Sequence, residues 1–332
     1  MSGGDLKIVC ESKATRDQWL TICKETPFAT FFHTPMWPEI FSGRRVRPEG
    51  LILKFNDGTE VLFPCAVKSG PAKLFKVILS MPAATFGGWV SRSSLTPEHH
   101  KAILEYFRKF RDLILRENPY DPVLQKVDID GSEEDFTQSV DLSEGYEAAF
   151  DRAGCNHRNA VRNAMRKGVT VKQAASQGDW DQYYSIYLSS IQRWKRGQKF
   201  TGVSYGPEVF NSIRDLPDEN RKLWVAEIDG KIIAGILCFY WNSHAVVWHG
   251  AGLEEYFKYR ASNLLYDHAI KQACLGKLRW LDCNPSGGIS GVADFKDSLG
   301  ALRLRSRIIN RMSWIRRLRK VASHKSQVAS KE

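Results

Sequence analysis

Apolar stretches separated by tight turns mark a three-strand meander in the second half of the chain. Leu223–Ile228 precedes Asp229-Gly230, a dipeptide that tolerates positive φ at both central positions of a hairpin turn. Ile232–Trp241 is a continuous apolar run, typical of a buried strand, and Asn242-Ser243 is a second turn before His244–Trp248. The pattern predicts three consecutive antiparallel strands.

A helix and one more strand follow the meander. After the glycines of His249-Gly-Ala-Gly252, apolar residues three and four positions apart predict a helix over Ala261–Leu275. Arg279–Asp282 is predicted as a strand.

The first half of the chain has the same order of parts. Its predicted elements are a hairpin of Leu51–Phe55 and Thr59–Val67, a strand Val77–Ser80, a glycine loop 86–89, a helix Pro97–Arg116 and a strand Val123–Ile129. This order, repeated twice, predicts an α/β fold of two domains with mixed sheets. We assign residues 1–150 and 151–300 to them, with the boundary between Asp141 and Asn156.

Asn156–Gly168 is predicted as a basic helix. Arg158, Arg162 and Arg166 are spaced i, i+4, i+8 and form one stripe, which suits phosphate groups. Such a stripe can equally be a solvated face whose arginines pair with nearby carboxylates. The residues predicted to be buried on the opposite side are Ala160, Val161, Ala164 and Met165.

Net charge and cysteine content indicate which kinds of ligand and partner the protein can have. The formal charge of +11 favours an anionic partner, which could be RNA, a phosphate-bearing cofactor or an anionic membrane surface; a basic surface that serves only solubility is the alternative. The seven cysteines never occur as Cys-x-x-Cys, so we expect reduced thiols and no metal site. Without a signal-like start or a run of about 20 apolar residues, we expect a cytoplasmic protein.

The C-terminal region is rich in arginine. Ala301–Ile309 alternates, so that Arg303, Arg305 and Arg307 are predicted on one face of a strand, turned toward RNA or only toward solvent. Residues 313–332 form a basic tail in which Trp314–Ala322 is predicted as an amphipathic helix. That helix could lie on the inner face of a membrane or dock on its own protein.

The stretch before this region carries a motif. Gly291-Val-x-x-Phe-Lys-x-x-Leu-Gly300 follows a turn-rich loop, and Val292–Gly300 is predicted as a short helix. Together with Arg158-Asn159, Arg193–Phe200 and the Asp229-Gly230 meander, this motif resembles the Fem-type transferases, also described as BioF2-like acyltransferase domains, of the GNAT superfamily. The resemblance covers half the chain closely and the first half only by architecture.

The resemblance implies two tandem GNAT-like domains with a cleft between them, the first completed by residues at about 301–320. It also implies transfer of an aminoacyl or acyl group, carried by charged tRNA, to an amine of a cell-envelope or cell-surface precursor. By the same resemblance, the lysine of the Phe-Lys pair, Lys296, stabilises the developing oxyanion. Asp282 is our candidate for the proton acceptor. The candidate substrate contacts are Phe295, Arg158, Arg162, Arg193, Arg196, Tyr256 and Trp37.

Two departures from the relatives bear on the substrates. GNAT enzymes that use acetyl-CoA carry glycines before the helix that binds pyrophosphate, whereas Phe257–Asn263 has none. The donor is therefore predicted to be aminoacyl-tRNA, with acyl-CoA as the alternative. Fem relatives that hold a nucleotide-linked precursor have a basic residue shortly after the tryptophan that corresponds to Trp37; here Pro38-Glu39-Ile40-Phe41 follows. A further alternative is a non-catalytic GNAT scaffold that binds only RNA or an anionic surface.

Overall fold

The computed structural model describes residues 5–43, 45–70, 75–197 and 203–313. Contacts divide the chain into two units. Unit 1 contains the described parts of 1–26, 32–135 and 306–332, and unit 2 those of 27–31 and 136–305. The predicted tail helix Trp314–Ala322 lies outside the described residues.

Unit 1 contains one six-stranded mixed sheet. Its strands are β1 (Ile8–Lys13), β2 (Val46–Phe55), β3 (Glu60–Ser69), β4 (Lys76–Leu79), β5 (Leu113–Arg116) and β13 (Ile308–Arg311). They lie in the order β1-β2-β3-β4-β5-β13, and only β4 and β5 run parallel. Its helices are α1 (Arg16–Glu25), α2 (Met36–Ile40) and α3 (Pro97–Tyr106).

Unit 2 contains a seven-stranded mixed sheet. Its strands are β6 (Phe136–Asp141), β7 (Thr170–Gln173), β8 (Arg221–Ile228), β9 (Lys231–Trp241), β10 (His244–Gly252), β11 (Trp280–Pro285) and β12 (Leu302–Arg305). They lie in the order β12-β6-β11-β10-β9-β8-β7, and only β10 and β11 run parallel. Its helices are α4 (Gly145–Arg152), α5 (Cys155–Arg166), α6 (Gln177–Arg196), α7 (Pro207–Arg214), α8 (Ala261–Leu275) and α9 (Ser290–Asp297).

The predicted meander is confirmed as β8, β9 and β10. Asp229 and Gly230 have φ of 49° and 73°, the left-handed conformation that a two-residue hairpin turn needs. The predicted bounds of the helix Ala261–Leu275 are those of α8. A buried cluster that includes Leu264, Leu265 and Ala269 packs this helix on the sheet. Because one face of the helix is buried in this way, its apolar residues recur at helical spacing in the sequence.

Two predictions in the first half were wrong. The predicted helix Pro97–Arg116 ends at Tyr106, and its last residues form β5. Leu113 and Leu115 are fully buried; Leu113 pairs with Ile78 of β4 and Leu115 with Ile309 of β13, so long-range sheet contacts override the local helical spacing. The predicted strand Val123–Ile129 is instead a short 3-10 turn at Leu124–Lys126. The Asp121 carboxylate accepts from the main-chain N–H groups of Val123 and Leu124, both at 3.0 Å, which starts a turn.

The predicted single strand Ala301–Ile309 was also wrong. Its two halves are β12 and β13, which pair with β6 and β5 in different sheets. Arg307, between them, does not share a solvent face with Arg303. It is 2% exposed and makes a forked ion pair with the fully buried Glu117, at 2.8 Å and 2.7 Å.

The units divide at 135/136, earlier than the predicted boundary between Asp141 and Asn156. The reason is β6, which pairs with β11 and β12 and is therefore part of the second sheet.

In the basic helix α5, Met165 was wrongly placed in the core and is 62% exposed, while His157, Val161 and Ala164 are buried. No helix in the described ranges is both long and apolar enough to cross a bilayer.

Candidate acyl-transfer site

Two neighbouring strands of unit 2, β10 and β11, pair over only part of their length. Their parallel pairing ends at Val246↔Asp282, although β10 continues to Gly252 and β11 to Pro285. Beyond this point β10 also shifts register against β9, between Val247 and His249. A bulge bends the strand that carries it, so the sheet opens between β10 and β11.

Asn284 lies at this opening and ties its sides together. Its Nδ2 donates to the carbonyl of Val247 on β10 at 2.9 Å, and its main-chain N–H donates to the Asp282 carboxylate at 2.6 Å. Its φ is +60°, a conformation that Asn adopts more readily than most residues. The Asn284 Oδ1 is buried and has no hydrogen-bond partner among the described residues.

A pocket of about 490 Å³ lies beside the opening, within unit 2. This volume is within the range of about 300–1,000 Å³ that is typical of small-molecule sites. Glycines at 250 and 252 help to keep it open: a Cβ added at Gly250 would lie 3.3 Å from Cγ2 of Ile236. The other walls come from the start of α8, the segment before it, the end of α6 and α9.

The pocket carries positive charge. Arg193 donates from Nη1 to the Gly252 carbonyl at 3.0 Å, and its guanidinium lies 4.8 Å from the centre of the Phe257 ring. Arg260, with φ of 58°, precedes α8, and the first residues of that helix also line the pocket. A helix N-terminus attracts anions through its free N–H groups, so this pocket suits a ligand with a negatively charged group.

Lys296 of α9 and Asp282 of β11 form a buried polar cluster. Lys296 is 5% exposed, and its Nζ donates to the Asn284 carbonyl at 2.6 Å. Asp282 is fully buried and accepts from the hydroxyl of Thr137 at 2.7 Å. Phe295, the neighbour of Lys296, lines the pocket and packs edge-on against Tyr266. The structure thus holds an ammonium and a carboxylate in fixed positions at the C-terminal end of β11.

Residues 155–297 match the family described as acetyltransferase (GNAT) domain. The match runs from α5 to the end of α9 and so includes the opened strands, the pocket and Lys296. This part of the chain is a GNAT domain, and the protein is an acyltransferase. No curated protein matches its sequence.

Solved structures show that the fold of this acyltransferase is shared along most of the chain. The crystal structure of FemX is similar with a TM-score of 0.69 and 12% identity, covering 90% of this chain and 97% of FemX. The C-terminal domain of a putative lysylphosphatidylglycerol synthetase from Agrobacterium fabrum has a TM-score of 0.54 and 11% identity, over 90% and 91% of the two chains. L-PGS from Bacillus licheniformis has a TM-score of 0.50 and 13% identity, over 85% and 90%. The GNAT acyltransferase therefore has a Fem-like fold.

The structure brings some predicted contacts of the acyltransferase to the pocket and leaves others elsewhere. Arg193, Tyr256 and Phe295 line the pocket. Arg196 is exposed next to it, with Glu254 at 3.9 Å. Trp37 belongs to unit 1, where it is fully buried and its Nε1 donates to the Thr85 hydroxyl at 3.0 Å.

The arginines of α5 do not line the pocket. Arg158 donates to the main-chain carbonyls of Asp151 and Ala153, so it caps the end of α4. Arg162 is exposed and lies 5.8 Å from the centre of the Phe150 ring. The stripe that sequence spacing predicts is therefore partly used for internal contacts of the GNAT domain.

Sequence reasoning missed Asn284, Arg260 and the two pocket glycines of the acyltransferase. For Asn284 a signal existed: Asn followed by Pro-Ser-Gly-Gly at a predicted strand end is typical of a backbone that takes left-handed conformations. For Gly250 and Gly252 the pattern indicated only a loop, and their role depends on the bulge in β10.

Stability of the acyltransferase is expected to fall as the pH drops from 6.5 to about 4, because burial lowers the pKa of His157 to about 4. The unfolded chain binds a proton first, so acid favours unfolding in this window, by up to about 3 kcal/mol for this group. Urea unfolding across the window measures the effect. His157→Gln should make the profile less steep, since the variant loses one of several buried histidines whose pKa is lowered; an unchanged slope would exclude His157 as a contributor.

Proposed function

We propose that this acyltransferase transfers an aminoacyl group from charged tRNA to an amine of a cell-envelope or cell-surface precursor. The observation that carries the proposal is the Fem-like fold along most of the chain, combined with a buried lysine at the motif position that the Fem resemblance makes catalytic. FemX and two lysylphosphatidylglycerol synthetase-type structures share this fold, and aminoacyl transfer is the chemistry that their names suggest for this chain.

The pocket beside the opened strands is the proposed site of the donor's acyl end. Its glycine wall leaves room for an acyl chain, and Arg193 with the start of α8 can bind a phosphate group of the donor. A charged tRNA brings both features: an aminoacyl ester at its end and phosphates beside it. In this arrangement the body of the tRNA stays outside, where exposed basic residues such as Arg196 and Arg166 can neutralise its backbone.

The reaction needs two further tasks, and we assign them to the buried cluster. The acceptor amine attacks the ester carbonyl, and negative charge develops on the carbonyl oxygen. A fixed ammonium, Lys296, stabilises that charge without reorganisation. The amine loses a proton during the attack, and Asp282 is the carboxylate we propose as its acceptor. The bond from the carbonyl carbon to the tRNA ribose oxygen then breaks, the ribose oxygen takes up the proton that Asp282 accepted, and the tRNA leaves in its free hydroxyl form.

An acyl-CoA donor is the second candidate. The specific observation in its favour is that the N-terminus of α8 lines the pocket, as expected where a pyrophosphate binds. Against it, the residues before α8 have large side chains in place of glycines, including Tyr256, Phe257 and Tyr259. We therefore place charged tRNA first.

A substitution that fills the pocket should weaken donor binding. In Gly250→Val the new side chain points at Ile236 and occupies space that the acyl group needs, while valine suits a strand. We expect the dissociation constant of the donor to rise at least about tenfold, which corresponds to 1.4 kcal/mol. Calorimetry with a non-hydrolysable aminoacyl-tRNA analogue, and separately with acyl-CoAs, measures it.

Gly43→Val is the matched control, since a Cβ at Gly43 meets no atom within 4 Å. Weaker binding of the tRNA analogue to Gly250→Val alone supports the proposal. Micromolar binding of acyl-CoA, lost in the same variant, replaces the donor by the second candidate. If Gly250→Val binds either donor as tightly as the unsubstituted protein, the pocket is not the donor site.

A further inference from the structure

A second concave site lies in unit 1, at one end of its sheet. It is a groove of about 490 Å³ within that unit. The antiparallel strands bring the end of β1, the start of β2, the end of β3 and the start of β4 to this edge, and the segment before β5 joins them. The lining residues are Lys13, Arg47, Glu49, Val67, Lys76, Ile78, Lys109, Phe110, Arg111 and Asp112.

Strand register places these side chains on one face. Lys13 pairs with Leu51, Arg47 with Val67, and Val67 with Ile78, which in turn pairs with Leu113. Directly paired residues point to the same side of a sheet, and so do residues two apart on one strand. Lys76, on β4, therefore shares this face through Ile78. Arg111 lies in the segment before β5 and lines the same groove.

The same face is the core face of unit 1. Leu51, Leu53 and Phe55 continue it along β2 into a buried cluster that contains Ile103 of α3. The helix α3 ends at Tyr106 and, among the described residues, does not extend over the opposite end of the face. Within the described part of the chain, the groove is therefore a concave end of the core, with Val67, Ile78 and Phe110 as an apolar floor and charged side chains around it.

Five of the lining residues are cations and two are carboxylates. Glu49 pairs with Arg47, and the Asp112 carboxylate accepts from the main-chain N–H and the hydroxyl of Ser313. Lys109 donates to Glu11 at 2.7 Å. Lys13, Lys76 and Arg111 are exposed, and within the described ranges none of them has an ion pair or a side-chain hydrogen bond.

We propose that this groove binds a small organic molecule that carries two or more phosphate groups. Neighbouring strands are about 4.8 Å apart, so the cations from β1 to β5 spread over roughly 19 Å, more than one phosphate can bridge. The apolar floor between them suits a flat or aliphatic portion of the same molecule. A concave site of this volume is typical of a small ligand and does not resemble the open basic surface on which a nucleic acid backbone lies.

This proposal does not depend on the proposed function. The groove belongs to unit 1, and none of its residues lines the pocket of the GNAT domain. Loss of donor binding in unit 2 and loss of phosphate binding in unit 1 can therefore be measured separately on the same full-length protein.

Calorimetry with ADP and with inorganic pyrophosphate tests the proposal. We expect ADP to bind at micromolar concentration, more tightly than pyrophosphate, because only ADP has a part that covers the apolar floor. Lys76→Ala and Arg111→Ala should each weaken ADP binding about tenfold, since each removes one charged hydrogen-bond donor. Lys24→Ala is the matched control: Lys24 is an exposed lysine on α1, away from the groove residues.

Four outcomes of the binding measurements would contradict the proposed phosphate ligand. Binding of neither compound below millimolar concentration would exclude the site, and so would ADP binding that both groove variants retain. Equal affinities for ADP and pyrophosphate would exclude an organic ligand seated on the floor. A single-stranded RNA that binds more tightly than ADP, and that the two groove variants lose, would assign the groove to nucleic acid instead. Thermal unfolding of each variant confirms that the fold is intact.

Discussion

Replacing Lys296 with methionine is expected to lower the rate of acyl transfer by about 10²–10³-fold, the usual cost of losing one oxyanion-stabilising group. Methionine keeps most of the volume of the buried side chain but has no charge to offer the tetrahedral intermediate. In the proposed mechanism the ammonium acts on charge that exists only in the transition state, so kcat should fall while the KM for the donor changes little. Single-turnover transfer from charged tRNA measures the rate.

Lys271→Met is the control for this experiment, since Lys271 is an exposed lysine on α8 of the same unit. The control should transfer at the rate of the unsubstituted protein. A Lys296→Met variant that is folded and transfers within about threefold of that rate would remove the lysine from the mechanism, because even one weak charged hydrogen bond is worth more. A pure rise in KM would assign Lys296 to donor binding instead.

Replacing Arg307 with methionine is expected to destabilise unit 1 by about 3–5 kcal/mol, because it leaves the buried carboxylate of Glu117 without a counter-charge. Two main-chain carbonyls would lose a partner as well: Arg307 donates to Val127 at 2.8 Å and to Leu124 at 3.1 Å. Urea unfolding followed by tryptophan fluorescence measures the loss. We expect the thermal midpoint to fall by roughly 10 °C.

Two comparisons isolate the cause. Arg303→Ala removes an exposed arginine, paired with Asp297 at 2.5 Å, and should cost less than about 1 kcal/mol. The double variant Arg307→Met with Glu117→Leu should recover part of the lost stability, since it leaves no unpaired charge in the core. A single variant Arg307→Met as stable as Arg303→Ala would show that the ion pair is not desolvated in solution.

This ion pair lies in a short segment that contributes one strand to each of the two sheets. The chain leaves β12 of unit 2 and enters β13 of unit 1 through Ser306 and Arg307. The Ser306 hydroxyl donates to the main-chain carbonyl of Glu117 at 3.0 Å. The main-chain N–H of Glu117 donates to the carbonyl of Arg307, also at 3.0 Å. Glu117 thus fixes the start of β13, so an acidic residue that the sequence reading left out is a structural anchor.

Much of unit 2 could be predicted because its signals are local. The Asp229-Gly230 turn fixes a hairpin through the φ angles of two adjacent residues, and the spacing of apolar residues in Ala261–Leu275 fixes a helix. The Phe295-Lys296 motif directed attention to α9, which the structure places beside the pocket. In the first half, the stretch from Leu113 to Arg116 was wrongly predicted as helical, because it forms a strand through pairing with the distant strand β4.

The meander of unit 2 and the helix α8 follow from the sequence alone, because turns and helical spacing act within about ten residues of chain. Which charged side chains are buried and which are exposed depends on long-range contacts. Arg303 and Arg307 have the same spacing in sequence as two residues on one strand face, yet one is exposed and the other is in the core. Register and sheet pairing join residues far apart in the chain, and burial follows from those contacts and not from local pattern.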